Sequence, residues 1–240
     1  MDDMLLSERS FKKLDPVIDK VLSICRRKNM KLNPKKFKVG TSVEFRGTNV
    51  KYSPANDIVQ ITPSEDKVEE LLGRNPPKSR KDLPSVLGSL NQLSQWCPSV
   101  KVKIPLKRKM CGNNNIFKTS PQLEEEFNTM KNYVKKTVTL SPLEMGKEIH
   151  LHTDASNLGL GYILSQPHKN SEDDNQDHYH RKRNIITLGS AGLTSTQERY
   201  SVGEQEALSV LHAVQKTDFY LRGAKKILVH TDNKNLVDYF

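Results

Sequence analysis

Apolar residues recur at helical spacing in four stretches of the first 140 residues, and two short apolar runs flank Gly47. The spacing predicts helices with one buried face each, and the short runs predict a pair of strands. The predicted helices cover residues 11–29, 65–72, 79–96 and 121–136, and the predicted strands cover residues 43–45 and 49–52. Ser64 is positioned to cap the second helix. The pattern therefore indicates a mostly helical region that carries one hairpin.

The pattern changes near Leu140, beyond which short apolar strands are combined with one long amphipathic helix. The strands are predicted over residues 149–153, 159–164, 184–188 and 227–231, and the helix over residues 200–215. Residues 167–183 are polar and charged throughout, which is typical of an insertion outside the core. The fold class predicted for the whole chain is α/β.

The composition argues against a membrane-spanning protein and against a disulfide scaffold. The chain has 240 residues, of which 35% are apolar and 28% charged. None of its apolar runs approaches the ~18 residues of a membrane-spanning helix, so no membrane association is expected. The three cysteines are widely spaced and odd in number. This argues against a disulfide scaffold and favours a reducing compartment.

Positive charge is concentrated in the first half of the chain. Residues 1–118 hold 24 basic and 12 acidic side chains, whereas residues 119–240 hold 14 basic and 16 acidic ones. The stretch from Arg26 to Lys51 has nine basic residues and one acidic residue, Glu44. Such an excess indicates a polyanionic partner, most plausibly nucleic acid. The alternative is a solvated basic face with no ligand.

Three acidic residues of the second half occupy related places in the predicted elements. Asp154 and Asp232 each end a predicted strand, and Glu206 lies on the long helix. Carboxylates that converge in this way provide the hard oxygen ligands that Mg²⁺ requires, and a pair of such ions can hydrolyse a phosphodiester. The alternative is that all three are ordinary surface acids. No zinc site is predicted, because the His178-x-His180 pair falls in the polar insertion.

The sequence around these acids resembles the ribonuclease H domain of gypsy-type LTR retrotransposon polyproteins. The matching segments are His152-Thr-Asp-Ala-Ser156, Tyr200-Ser-Val-Gly-Glu-Gln-Glu206 and Thr231-Asp-Asn233, in that order. The resemblance implies that Asp154, Glu206 and Asp232 are three of the four metal-binding acids. Glu204 remains the weaker alternative for the acid on the helix.

The first half resembles the reverse transcriptase of the same polyproteins. Asp2 and Asp3 match the Asp-Asp pair of the palm, which implies a catalytic and metal-binding role for both. The segment that contains Lys31, Lys35 and Lys36 resembles the one that follows the palm helix. Val43–Gly47 resembles the hairpin that grips the primer end, with Arg46 replacing the usual leucine. The nucleic-acid contacts implied by these matches are Lys31, Lys35, Lys36, Phe45, Arg46 and Gly47.

The resemblance also implies an organisation and a function. The expected parts are the end of a palm with its primer-grip hairpin (1–62), a helical thumb and connection (63–140), and a ribonuclease H-like domain of mixed sheet and helices (141–240). The third palm acid and the fourth ribonuclease H acid would lie outside residues 1–240. The implied activities are RNA-directed DNA polymerase and ribonuclease H. The implied cofactor is Mg²⁺ or Mn²⁺.

The implied partners are an RNA–DNA hybrid, a primer–template duplex and other parts of the polyprotein. The implied location is a virus-like particle in the cytoplasm, with access to the nucleus left open. Two other interpretations stay open at this point. One is an inactive nucleic-acid-binding remnant of the same polyprotein. The other is a stand-alone ribonuclease H with an unrelated basic tether, against which the Lys31–Gly47 block argues.

Overall fold

A computed structural model describes residues 3–8, 10–55, 57–79, 81–97, 121–157, 159–168 and 183–237 of the chain. Within these residues the helices are α1 (Phe11–Arg27), α2 (Glu65–Gly73), α3 (Leu83–Leu93), α4 (Pro121–Val134), α5 (Val202–Leu221) and α6 (Lys234–Val237). The strands are β1 (Ser42–Phe45), β2 (Thr48–Ser53), β3 (Ile58–Pro63), β4 (Ile149–Ser156), β5 (Gly159–Pro167), β6 (Arg183–Gly192) and β7 (Ile227–His230). Short 3₁₀ turns lie at Pro34–Lys36 and Gln197–Arg199. None of the described helices has the length and apolarity of a membrane span.

The first sheet is an antiparallel meander in the order β1-β2-β3. Phe45 faces Thr48 across the first hairpin, so Arg46 and Gly47 form a two-residue turn. Both turn residues have positive φ, +52° at Arg46 and +73° at Gly47. A two-residue loop of this kind matches the right-handed twist of its strands, and glycine adopts it without steric cost. Arg46, at the tip of this turn, is exposed.

The helical region has a core of its own, built where α2, α3 and α4 face one another. Its buried members include Leu71, Leu90, Trp96, Phe127 and Val134. Lys131 of α4 donates to the backbone oxygens of Leu72 and Arg74, which satisfies carbonyls at the end of α2. The same core takes in Leu188 of β6, so the helical region packs directly on the second sheet.

The second sheet is mixed, with the strand order β6-β5-β4-β7. Neighbouring strands are antiparallel except β4 and β7, which run parallel with His152 opposite His230. A parallel pair needs a long crossover connection, and α5 lies in that connection. Helix α5 packs on β4 and β5, and Ala213 joins Ile149, Leu151 and Leu164 in the core beneath it.

Most predicted elements are present, but several details differ. The third strand of the first sheet, β3, was not predicted; it is held by pairing with β2 and by a bridge from Ile61 to Leu140. The strand predicted to end at Asp154 continues to Ser156, because β5 pairs with it over that whole length. Helix α5 extends to Leu221, beyond the predicted end at 215. The side-chain cap predicted for Ser64 does not form, although Ser64 is the N-cap residue of α2.

The close approach of β5 to β6 gives a test of this sheet. A Cβ atom added to Gly159 would lie 2.4 Å from the backbone oxygen of Ala191, whereas one added to Gly192, its cross-strand partner, would meet nothing within 4 Å. Gly159→Ala should therefore lower the free energy of unfolding by about 1–3 kcal/mol. Gly192→Ala is the matched control and should change it by less than about 0.5 kcal/mol. Urea denaturation measures both, and equal effects would contradict this strand register.

Candidate metal centre

The two aspartates are brought together by the parallel pairing of β4 and β7. His152 of β4 lies opposite His230 of β7, and each histidine is followed two residues later by an aspartate. Because the two strands run in the same direction and in register, Asp154 and Asp232 emerge at the same edge of the sheet. Both carboxylates are exposed.

Glu206 reaches the same edge from helix α5. Ser201 caps this helix and forms a reciprocal capping box with Glu204, which sets where the first turn begins. Glu206 lies in the second turn of the helix and is 4% exposed. Its Oε1 accepts a hydrogen bond from the backbone N–H of Ala155 at 3.2 Å. This contact fixes the carboxylate beside the strand that carries Asp154.

The three carboxylates form a compact cluster. One oxygen from each of Asp154, Glu206 and Asp232 lies within 4.8 Å of the others. The second oxygen of Glu206 is buried, and no described residue donates a hydrogen bond to it. Burial raises the pKa of Glu206; the Ala155 N–H opposes the shift, and the charges of Asp232 and Asp154 add to it. The carboxylates of Asp154, Glu206 and Asp232 together are a suitable ligand set for a hard divalent cation such as Mg²⁺ or Mn²⁺.

Glu204, the alternative acid on the helix, is used differently. Its carboxylate accepts from the backbone N–H of Ser201 at 2.7 Å and from the Ser201 hydroxyl at 2.8 Å, and it is exposed. These hydrogen bonds lower the pKa of Glu204. The geometry therefore assigns Glu204 to the start of the helix and Glu206 to the acid cluster. The Ser-x-x-Glu spacing is a sequence signal that could have separated the two.

Asn233, the residue that follows Asp232, immediately precedes the next helix. Its side-chain oxygen accepts from the backbone N–H of Asn235 at 3.0 Å. Asn233 therefore caps the short helix α6, and asparagine is among the residues preferred at that position. The backbone N–H of Asn233 donates to the Thr231 hydroxyl, so the chain turns sharply directly after Asp232.

Among the described residues, no other predicted site residue belongs to this cluster. Asp2 lies outside the described residues, and Asp3 is exposed and outside any strand or helix. Lys31, Lys35 and Lys36 are exposed on the segment between α1 and β1. Phe45, Arg46 and Gly47 line a cleft of about 620 Å³ between the first hairpin and α3. The interior of the polar insertion, residues 169–182, also lies outside the described part of the chain.

A second cluster was not predicted, and it consists of His150, His152 and His230. The sequence does contain a signal for it, because the tripeptide His-Thr-Asp occurs twice, at 152–154 and 230–232. In a parallel pair of strands the two copies lie side by side. The pair at 178 and 180, by contrast, falls outside the described residues.

The second half of the chain matches the model of a known protein family. Residues 144–240, which carry all three clustered carboxylates, match the RNase H-like domain found in reverse transcriptase. Residues 144–240 are an RNase H-like domain of that kind. The acid cluster therefore lies at one edge of the central sheet of an RNase H-like domain.

The relationship extends over the whole chain. The Tf2-3 and Tf2-7 transposon polyproteins of Schizosaccharomyces pombe (strain 972 / ATCC 24843) are each 25% identical over 239 residues, 99% of this chain. The chain spans only 17% of the length of each polyprotein. It is therefore a homologue of one segment of retrotransposon polyproteins of the Tf2 (gypsy) type.

Two solved structures share the fold. A foamy viral protease–reverse transcriptase in complex with double-stranded DNA aligns with a TM-score of 0.73 and 13% identity, covering 98% of this chain and 39% of the other. The foamy viral enzyme in complex with an RNA/DNA hybrid aligns with a TM-score of 0.72 and 14% identity, covering 97% and 30%. The arrangement of helices and sheets is thus that of these viral enzymes along nearly all of this chain.

The buried carboxylate of Glu206 gives a stability test. Because its pKa is raised in the folded protein, the apo protein should lose stability as the pH rises from the ordinary glutamate pKa of 4.5 through the raised value. Glu206→Gln removes this loss, since the amide can keep the Ala155 contact and donate toward the two aspartates. Without divalent cations at pH 7.5, we expect the variant to melt higher by at least ~2 °C.

Glu204→Gln is the control for this comparison. It replaces the charged acceptor of the capping box by a neutral amide and leaves the acid cluster intact, so its melting temperature should fall or stay unchanged. Differential scanning calorimetry at pH 4 and pH 7.5 measures both variants. A Glu206→Gln protein that melts lower than the original chain at pH 7.5 would contradict the picture of an unpartnered buried carboxylate.

Proposed function

We propose that the RNase H-like domain cuts the RNA strand of RNA–DNA hybrids by two-metal catalysis. The observation that supports this most directly is the convergence of Asp154, Glu206 and Asp232 at one sheet edge, with a buried Glu206 oxygen that lacks a described partner. Three carboxylates so close together repel one another, and divalent cations would relieve that repulsion. The cluster of three carboxylates should therefore be more stable with bound Mg²⁺ or Mn²⁺ than without a cation.

Each part of the site has a separate task in this proposal. Asp154 and Asp232 would hold cations at the open side of the cluster, where both side chains are exposed. Glu206, anchored by the Ala155 N–H, would hold its free oxygen at the buried side. When bound, the cations would activate a water and stabilise the leaving oxygen of a phosphodiester. The capping box would keep Glu206 in position by fixing where α5 begins.

We further propose that the first half of the chain holds the nucleic acid. In this proposal residues 1–62 are the end of a reverse-transcriptase palm, residues 63–140 a thumb and connection, and residues 141–240 the nuclease. The exposed lysines before β1 and the Arg46 turn beside the cleft would contact the phosphates of a primer–template duplex or a hybrid. Support comes from the foamy viral enzymes of the same fold, whose structures contain double-stranded DNA or an RNA/DNA hybrid.

In this proposal the polymerase activity and the location in the cell are those of the whole polyprotein, to which this segment contributes. We propose that the segment contributes to an RNA-directed DNA polymerase, with Asp2 and Asp3 among its metal-binding acids. Its partners would be other parts of the polyprotein, inside a cytoplasmic virus-like particle with access to the nucleus. The alternative, an inactive segment that only binds nucleic acid, is favoured by the basic first half and requires no working acid cluster.

Metal binding and cleavage distinguish these two possibilities. We expect Asp154→Asn, Glu206→Gln and Asp232→Asn each to weaken Mn²⁺ binding in isothermal titration calorimetry of the 240-residue chain. The nuclease assay uses the chain extended through its downstream reading frame, where the resemblance predicts a fourth acid. On a hybrid with Mg²⁺, each substitution should reduce cleavage of the RNA strand by more than ~10²-fold, because two-metal catalysis would need both cations in place.

Glu204→Gln is the matched control, since it changes an acid on the same helix only two residues away. It should retain most of the cleavage. If Glu204→Gln abolished cleavage and Glu206→Gln did not, the assignment of the helical acid would be wrong. If the extended protein bound hybrid tightly yet cut neither strand, the inactive-segment alternative would replace the nuclease proposal.

The salt dependence of binding tests the role of the basic half. Each neutralised phosphate releases counterions, which adds about 0.9 to the steepness of log K against log salt concentration. Replacing Lys35, Lys36 and Lys38 with alanine should therefore reduce the slope for an RNA–DNA hybrid by up to about 2–3. The control is a triple alanine variant at Lys216, Lys225 and Lys226, which are exposed in the other half. Equal effects of the two triple variants would contradict a specific basic contact.

A further inference from the structure

Three histidines form a cluster on the same two strands that carry the aspartates. His150 and His152 lie on β4, and His230 ends β7, opposite His152 in the parallel ladder. Alternate residues of a strand point to one face, so His150, His152 and Asp154 share a face of the sheet. A ring nitrogen from each histidine lies within 4.8 Å of the others. His150 is 1% exposed, and the other two are partly buried.

The contact between His150 and His230 is already arranged like a pair of metal ligands. Nδ1 of His150 lies 2.9 Å from Nε2 of His230, while the ring centroids are 5.1 Å apart and the rings are tilted by only 13°. The two rings therefore meet edge to edge, with both nitrogens directed at one point between them. One hydrogen atom, bonded to one of these nitrogens and accepted by the other, holds the two rings at this distance. Two nitrogens that bind one Zn²⁺ ion at about 2.0–2.1 Å each and at a tetrahedral angle lie about 3.3–3.4 Å apart, so the rings would have to separate by about half an ångström and turn.

Glu148 completes an arrangement that is typical of metal-binding histidines. Its Oε1 lies 3.1 Å from Nε2 of His150. A carboxylate only accepts, so Nε2 of His150 carries the hydrogen and the lone pair of Nδ1 faces His230. Histidines that bind metals almost always donate their other N–H to a carboxylate or carbonyl, which fixes the tautomer and increases the basicity of the ligand nitrogen.

The third histidine is close but is held by a competing cation. The ring of His152 stacks on that of His230 with centroids 4.2 Å apart and a tilt of 7°. Nη1 of Arg183 donates to Nε2 of His152 at 3.0 Å. A metal ion that used this nitrogen would have to displace the guanidinium group. Arg183 is therefore expected to limit the affinity of the cluster for a metal.

We propose that His150, His152 and His230 bind a divalent transition metal ion, with Zn²⁺ as the first choice. Imidazole nitrogens favour such ions, whereas Mg²⁺ favours the carboxylates at the strand ends, so the two clusters select different metals. A shared ion would link β4 to the edge strand β7. Because Asp154 and Asp232 follow two residues later on the same strands, this link would hold the two aspartates at a fixed separation.

The test is calorimetric titration of the 240-residue chain with Zn²⁺ in excess Mg²⁺, which is added to saturate the acid cluster if that cluster binds Mg²⁺ as proposed above. We expect one Zn²⁺ per chain, retained in the double variant Asp154→Asn, Asp232→Asn. His230→Ala should abolish this binding. Glu148→Gln should weaken it by roughly 10–100-fold, the usual effect of removing the carboxylate partner of a ligand histidine. Arg183→Gln should strengthen it. X-ray absorption of the bound zinc should show nitrogen ligands.

A matched control is available within the chain, since His178 and His180 repeat the His-x-His spacing of His150 and His152. A double alanine variant at 178 and 180 should leave the zinc affinity unchanged. Far-UV circular dichroism checks that each variant is folded, and Glu148→Gln covers the case in which His230→Ala does not fold. The proposal is overturned if no zinc binds, if binding depends on the 178–180 pair, or if it disappears with the two aspartates.

Discussion

The parallel pairing of β4 with β7 determines where chemistry can take place in this chain. Antiparallel neighbours would place Asp154 and Asp232 at opposite edges of the sheet, whereas parallel strands in register place them at the same edge. The pairing extends over only four residues of each strand, from Ile149–Ile227 to His152–His230. It is supported by α5, whose residue Ala213 is fully buried in the core beneath the sheet. The acid cluster, and with it the proposed nuclease, depends on this short ladder.

The acid cluster lowers the stability of the protein when no cation is bound. A buried carboxylate without a described hydrogen-bond donor, placed beside two further carboxylates, is unfavourable in the free protein. The single N–H of Ala155 compensates only in part. The fold tolerates this cost because Glu206 lies near the well-anchored start of a 20-residue helix. A neutral side chain would suit folding better, which is the usual conflict between a stable core and a functional site.

The two halves of the chain differ in charge in a way that suits the proposed function. The half with excess positive charge carries an exposed basic segment and a hairpin turn beside a cleft, which suits contact with phosphates. The half that is slightly acidic carries the clustered carboxylates, which suit cations. The shared core across Leu188 ties the helical region to the RNase H-like sheet. A duplex held by one half would thus lie at a defined distance from the cluster in the other.

Much of the fold was predictable from local patterns, because helix periodicity, turn residues and apolar runs act over a few residues. The hairpin at Arg46–Gly47, the four N-terminal helices and the change of pattern near Leu140 are of this kind. Strand β3 was missed because its stability comes from pairing with β2 and from the Ile61–Leu140 bridge. The extra length of β4 likewise reflects its partner β5, which no local pattern reveals.

The sequence alone determined the identity of the acids, their order along the chain and the charge difference between the halves. Only the tertiary structure decided that the carboxylate of Glu206 lies beside the two aspartates, because α5 packs on the distant strand that carries Asp154 and the Ala155 N–H. It also decided that His150 and His152 meet His230, 80 and 78 residues later in the sequence, beside Glu148 and Arg183. Both outcomes depend on strand register and helix position, which arise from packing between distant segments and not from the residues of any one segment.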